Sequence, residues 1–189
     1  MKNKEEDFSL IRKVNEGDTS AFRQLVYLHK DVSLSLAYSI LKDLTISEDV
    51  IQDVFIKVFH KLSTFNFKSS FSTWLYRIVI NTSYNELKKR KASISLDEDN
   101  TGNLFAPIEN KDFMRKSDQK KYINLALKQL RTDEALALRL FYLCELSIKE
   151  IEEITNFKKS KIKVDLHRGR ENLNFQLRQL LGDDINYLL

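Results

Sequence analysis

The chain has 189 residues but only four glycines and one proline. Gly supplies positive φ without steric cost and Pro pre-sets a turn's φ, so tight turns draw heavily on both. A β-sandwich or barrel needs such a turn every ~8–12 residues. This chain has too few, and the sequence predicts an all-α fold. Hydrophobic residues make up 42%, enough for packed cores and too many for wholesale disorder. The single cysteine, Cys144, excludes an internal disulfide and argues for a reducing compartment. The segment Met1-Lys2-Asn3-Lys4-Glu5-Glu6-Asp7 carries both signs of charge and no apolar stretch, unlike a secretory signal. No apolar run approaches the ~18 residues of a membrane span. A cytoplasmic protein without membrane insertion is expected.

Periodic apolar positions run from Phe8 to about Leu87 and resume from Tyr122 to Leu180. Between them, residues 93–116 hold the only proline, Pro107, together with Gly102 among Ser, Asp, Glu and Asn. A structureless segment of that length is unusual inside one compact domain. The expected organisation is two small helical domains, 1–92 and 117–189, joined by a flexible linker, 93–116. Charge follows the division. Residues 1–92 carry 15 Lys+Arg against 11 Asp+Glu, the linker 3 against 5, and residues 117–189 carry 13 against 11. A mildly basic chain is thus two basic domains joined by an acidic strap. Two basic concentrations stand out: Lys88-Lys89-Arg90-Lys91, and Lys158, Lys159, Lys161, Lys163, Arg168 and Arg170. Solvated helix surface accounts for most such runs, so placement decides more than totals.

In the C-terminal part, Thr132-Asp133-Glu134 reads as an N-cap with first-turn acids, ahead of an apolar helix from Ala135 to about Leu143. Ser147-Ile148-Lys149-Glu150 has the form of a capping box. It opens a short helix with Ile148, Ile151 and Ile154 inside. Thr155-Asn156-Phe157 should end that helix, with Asn156 in a left-handed turn, and another helix begins near Ser160. Short helix, tight turn and longer basic helix outline a helix-turn-helix. At ~100° per residue, Ile162, Leu166, Gly169 and Leu173 form one stripe. Gly169 costs ~1 kcal/mol of helix propensity there, which close approach by a neighbouring helix would justify. The opposite face carries Lys161, Lys163, Val164, His167 and Arg168. A valine among cations is a stray surface residue unless it meets an apolar target, such as the thymine methyl in a major groove. Lys163 and His167 flank it within reach of base edges. Lys158, Lys159 and Lys161, at the helix entrance, are placed for phosphate contacts.

In the N-terminal part, Asp18-Thr19-Ser20-Ala21-Phe22 starts a helix with Phe22, Leu25, Val26 and Leu28 inside, and a second helix carries Val32, Leu36 and Ile40. Thr45-Ile46-Ser47-Glu48 reads as another capping box. The helix it opens has apolar residues at Val50, Ile51, Val54, Phe55, Val58, Phe59 and Leu62. Its outer face holds Asp49, Gln52, Asp53 and Lys57. Acids at i and i+4 suit metal binding or acid–base chemistry, but no His or further carboxylate completes such a site. No catalytic residue, metal or cofactor is expected, and a docking or solvated face remains. The stretch Phe65-Asn66-Phe67-Lys68-Ser69-Ser70-Phe71-Ser72-Thr73-Trp74-Leu75-Tyr76-Arg77 interleaves aromatic with polar and basic residues. Such a mixture suits single-stranded nucleic acid, whose bases stack on rings while cations follow the backbone. Core packing is the stronger account of Phe71 and Trp74, while Phe65 and Phe67, in the loop, suit either use.

These segments resemble a known family. Ser47-Glu48-Asp49-Val50-Ile51-Gln52-Asp53-Val54-Phe55-Ile56-Lys57-Val58-Phe59 is similar to the signature of region 2 of bacterial sigma factors. Phe71 to Asn81 resembles the promoter-melting segment that follows it. Leu166-His167-Arg168-Gly169-Arg170-Glu171-Asn172-Leu173 resembles the end of the region 4 recognition helix. Their order and spacing are similar to the extracytoplasmic-function subgroup of the sigma-70 family, over about residues 8–92 and 120–180. The resemblance implies a dissociable, non-catalytic subunit of RNA polymerase that reads promoter DNA. Asp49, Gln52, Asp53 and Lys57 would dock on the clamp helices of core RNA polymerase. Phe65, Asn66, Phe67, Lys68, Ser69 and Ser70, with Arg77, Asn81, Asn85 and Lys88, would read and open the −10 element. Lys163, Val164 and His167 match family positions facing −35 bases, with Lys158, Lys159, Lys161 and Arg168 beside them. Region 4 would also pack on the polymerase flap, the linker would thread toward the active centre, and an anti-sigma factor is an expected partner. Lys161 stands where the family usually has Thr, Gly169 where it has Ala, Asp165 where a basic residue is common, and Phe67 where Gly is frequent. Asn85 and Lys88 stand in for a frequent Asp and Arg. A helix-turn-helix regulator that never joins polymerase would leave the N-terminal loop and acidic face without a role. A helical enzyme using Glu48, Asp49 and Asp53 would explain neither basic cluster.

Overall fold

The computed structural model describes residues 4–94 and 116–182. Most of the linker expected at 93–116 lies outside the described residues. Helices α1 (Lys4–Asn15), α2 (Thr19–Leu41), α3 (Leu44–Lys61) and α4 (Phe71–Ile94) build the N-terminal domain. Helices α5 (Lys116–Gln129), α6 (Thr132–Leu138), α7 (Ile148–Thr155) and α8 (Lys159–Leu181) build the C-terminal one. Among the described residues there is no strand.

Local signals set most helix ends. Asp18 caps α2, its Oδ1 accepting from the Ser20 and Ala21 amides at 2.8 and 3.3 Å. That helix is continuous to Leu41 rather than two helices, because His29-Lys30-Asp31 interrupts the apolar pattern without breaking the backbone. Leu28, expected inside, is exposed. The cap of α3 is Asp43, not Thr45: Asp43 Oδ1 accepts from the Ile46 amide at 3.1 Å, and Thr45 lies within the first turn. Phe59 of α3 is also exposed, with its ring against Phe22 at 4.9 Å. Helix α6 begins at Thr132 itself, with Arg131 in the cap position and no side-chain bond there. A π-helical turn, Arg139–Leu143, prolongs it. The capping box before α7 is formed on both sides: the Glu150 amide donates to Ser147 Oγ at 3.3 Å and the Ser147 amide to Glu150 Oε2 at 2.8 Å. Asn156 closes α7 at φ 58°, in the left-handed region.

The apolar stripe of α8 packs as its spacing requires. Ile162, Leu166 and Gly169 are buried, and a Cβ on Gly169 would stand 3.1 Å from Leu138 Cγ and 3.3 Å from the Glu134 carbonyl oxygen. The two domains are docked, so that Leu25, Leu36, Val54, Phe71 and Leu75 share one continuous core with Leu136, Leu140, Ile151 and Ile162. The seam runs between α4 and α7 and between α2 and α6. Lys42, left-handed at the end of α2, donates to the carbonyls of Lys128 and Leu130 at the end of α5, at 3.2 and 3.1 Å. Arg139 reaches Ser35 Oγ on α2, and Tyr84 of α4 donates to Asp133 Oδ1 on α6 at 2.9 Å.

Candidate nucleic-acid interface

Helix α8 turns Lys163, Val164, His167 and Arg168 to solvent, directly opposite the buried stripe. Val164 is 44% exposed, so an apolar side chain does stand among cations on this face. His167 Nδ1 lies 3.2 Å from Glu171 Oε2, and both side chains are largely exposed. Surface pairs of this kind contribute little, so the ring remains available. Lys158 sits in the cap position of α8 without a side-chain bond. The Lys159 amide donates to Glu152 Oε1 of α7 at 3.2 Å, which fastens the turn of the helix-turn-helix. Lys161 is placed differently from its neighbours. Its ammonium lies 2.7 Å from Asp133 Oδ2, 2.5 Å from Asp165 Oδ2 and 4.2 Å from the centre of the Phe157 ring. Burial pulls its pKa down, but the two carboxylates outweigh that and hold it above the ordinary lysine value.

The loop before α4 divides its residues between shape and exposure. Phe65 is buried, its ring packed against Phe8, Phe67, Phe71 and Trp74, and Phe71 is wholly buried. Asn66 Oδ1 accepts from the Lys68 amide at 3.2 Å, and Ser70 Oγ accepts from the Thr73 amide at 3.1 Å to cap α4. Phe67 is half-buried at φ 59°, with its ring 5.0 Å from Phe8 and the Arg12 guanidinium over it. Lys68 and Ser69 carry the outer edge. At ~100° per residue, Arg77, Asn81, Asn85 and Lys88 share one exposed face of α4. That face borders the seam, and Arg77 Nη2 donates to the Glu153 carbonyl of α7 at 2.7 Å.

On α3, Asp49, Gln52, Asp53 and Lys57 are all exposed on one side. Ile56 lies among them at 57% exposure and was missed by the sequence reading. Its signal is the one that singled out Val164, an apolar residue on a polar outer face. Phe8 and Arg12 of α1, which brace the loop, were missed as well. Among the described residues, no group of three His, Cys, Asp or Glu side chains is placed to hold a metal ion, and no helix is long and apolar enough to cross a membrane.

Comparison with known proteins places the chain in a family. The sigma-70 region 2 pattern matches residues 25–93 and the sigma-70 region 4 pattern residues 120–173. The ECF RNA polymerase sigma factor SigW of Bacillus subtilis is 32% identical over 179 residues, covering 90% of this chain and 96% of its own. The ECF RNA polymerase sigma-E factor of Escherichia coli K12 is 31% identical over 186 residues, covering 93% and 96%. Two solved structures share the fold at 22% identity. The sigma factor RpoE of Bartonella quintana, in complex with the anti-sigma factor NepR, gives a TM-score of 0.66 over 83% of this chain and 96% of that one. CnrH, in complex with the cytosolic domain of CnrY, gives 0.61 over 92% and 97%. The chain belongs to the sigma-70 family. Within it, the pairing of these two regions and the identity to SigW and sigma-E make it an RNA polymerase sigma factor of the extracytoplasmic-function subgroup.

Proposed function

We propose that this sigma factor acts in the cytoplasm, joining core RNA polymerase through the exposed face of α3 and reading a promoter with two separate surfaces. Asp49, Gln52, Asp53 and Lys57, with Ile56 at their centre, dock on the clamp helices, and the C-terminal domain docks on the flap. The face Arg77, Asn81, Asn85 and Lys88, with Phe67, Lys68 and Ser69 of the loop, engages the −10 element. Asn66 and Ser70 fix the turns of that loop by accepting from the Lys68 and Thr73 amides, with the buried Phe65 beneath. Flipping a base out of the stack costs a few kcal/mol, which a loop pocket recovers. Lys163, Val164 and His167 read −35 bases, while Lys158, Lys159 and Arg168 follow the phosphates. The linker, 93–116, connects the two surfaces through the polymerase. An anti-sigma factor holds the protein inactive, as NepR's pairing with the Bartonella protein suggests.

The observation that carries the reading is the two-sided character of α8: Ile162, Leu166 and Gly169 are buried, and Val164 is exposed among cations on the reverse. The test is assembly with core polymerase followed by runoff transcription on genomic fragments. Binding to core at low salt and factor-dependent runoff are expected. Lys163→Ala and His167→Ala should each change which −35 sequences are used, by ~1–3 kcal/mol at one base pair. Failure to bind core polymerase would sink the reading. Equal loss on all sequences would reduce both residues to phosphate contacts.

A further inference from the structure

Two polar fastenings join α8 to α6. At the start of α8 the Lys161 ammonium bridges to Asp133, the second residue of α6, and to Asp165 one turn further along α8. Eleven residues on, about 16 Å along the helix, Asn172 Nδ2 donates to Glu134 Oε2 at 2.9 Å, on a carboxylate that is otherwise buried. Between them Gly169 lets Leu138 approach. The entrance end differs from the rest, because a cleft of about 630 Å³ opens there between α6 and α8, lined by Arg131, Ser160, Val164 and Arg168 among others. The ion pair therefore bridges an open cleft at this end. Lys163, Val164 and His167 lie on α8 between the two fastenings.

The charge count at Lys161 argues against a phosphate contact. Two carboxylates lie within 2.7 Å of one ammonium, so its charge is already matched inside the chain, and a phosphate would have to displace a carboxylate to reach it. Diverting the lysine outward would leave Asp165, whose side chain is only 14% exposed, desolvated and unpaired, and a buried polar group that loses its partner is costly.

We propose that Lys161 is a positioning residue for promoter reading: it clamps the entrance of α8 to α6 and so sets the angle at which Lys163, Val164 and His167 meet the major groove. This rests on the −35 reading above. The test compares wild type with Lys161→Met in full-length chain assembled with core polymerase. The probes are a duplex selected by the wild-type holoenzyme from a randomised pool and a scrambled duplex of the same composition, titrated from 50 to 300 mM salt. Lys161→Met should weaken the selected duplex about 10-fold, the size of one degraded base contact. The scrambled duplex should change by less than about 2-fold and the salt slope should stay constant. Lys161→Arg should restore the preference. Asp133→Asn gives the opposite sign for the two roles. A lysine freed to bind phosphate would tighten both duplexes, whereas an unclamped helix would lose the selected one alone. Parallel loss on both duplexes, with the salt slope reduced by about 0.9, would make Lys161 a phosphate contact and overturn the proposal. So would a Lys161→Met holoenzyme that binds both duplexes like wild type. If the wild-type holoenzyme selects no −35 sequence at all, the −35 reading itself fails, and this proposal with it.

Discussion

At Phe67 the loop before α4 takes φ 59°, a left-handed conformation that costs a residue bearing a Cβ ~1–2 kcal/mol. What holds it there is the ring, which packs edge-on against Phe8 and Phe65 at 5.0 Å each, with Arg12 over its face. Two substitutions separate backbone from ring. Phe67→Ala keeps the strain and loses the contacts, whereas Phe67→Gly loses the contacts but relieves the strain. The alanine variant should therefore be less stable than the glycine variant by ~1 kcal/mol, measured by urea denaturation. Both should impair opening of −10 DNA, followed by fluorescence of a base analogue in the strand, while binding to −35 duplex is unchanged. An alanine variant as stable as the glycine one would mean that the loop relaxes out of its left-handed turn. The same position explains how a glycine-poor chain bends. Among the described residues its positive-φ turns fall on Lys42, Phe67, Glu145 and Asn156 as well as on Gly17 and Gly182.

Among the helices, what a few neighbouring residues decide was legible in the sequence. The Ser147–Glu150 capping box and the left-handed Asn156 are both set within four positions along the chain, the first by side chains bonding amides and the second by an amide bonding the Glu152 carbonyl. Gly169 and Val164 follow from the 3.6-residue period, which assigns each to one face of α8. Ser147→Ala should destabilise the chain by ~1 kcal/mol, seen as a lower midpoint in chemical denaturation. An unchanged midpoint would show that the adjoining turns hold α7 without its cap. Competing local signals misled the reading elsewhere. Asp43 and Thr45 are both good caps, and Asp43 prevails because its carboxylate reaches the Ile46 amide. The polar triplet His29-Lys30-Asp31 resembles a break yet stays helical. The placement of Lys161 was out of reach for another reason. Its partner Asp133 is 28 positions away, and no local period encodes that pairing.

In the whole molecule the seam between the domains carries, beside its shared apolar core, polar groups that docking serves imperfectly. Arg139 is buried at the seam, bonded to Ser35 and Asn124, with its Nε unpartnered and no carboxylate among its described neighbours. Lys42 donates to three carbonyls and lies close enough to Arg139 and Lys128 to feel both cations. Burial, with that repulsion, pulls its pKa from 10.5 down to about 8. The docked form thus holds fewer protons than the separated form between about pH 8 and 10.5, so raising the pH through this window favours docking. Other seam groups act in the opposite sense, Cys144 and Tyr84 among them. Burial pushes the Cys144 thiol from 9.0 up to about 12 and the Tyr84 hydroxyl well above its ordinary 10.0. Their ionisation favours separation above pH 9 and pH 10 respectively. Docking should therefore tighten from pH 7.5 to about 9, hold while Lys42 and Cys144 oppose each other, and loosen above 10. Small-angle scattering of the full chain reads this directly, as a radius of gyration with a minimum between pH 9 and 10. Lys42→Met should abolish the contraction below pH 9 and leave the expansion above pH 10. A wild-type radius that is constant or grows from pH 7.5 to 9 would show that Lys42 does not govern the seam. Because Arg77, on the −10 face, is bonded across this same seam to Glu153, promoter opening by the assembled holoenzyme should be insensitive to the Lys42 substitution if polymerase separates the domains. It should be altered in parallel with the radius if they stay docked.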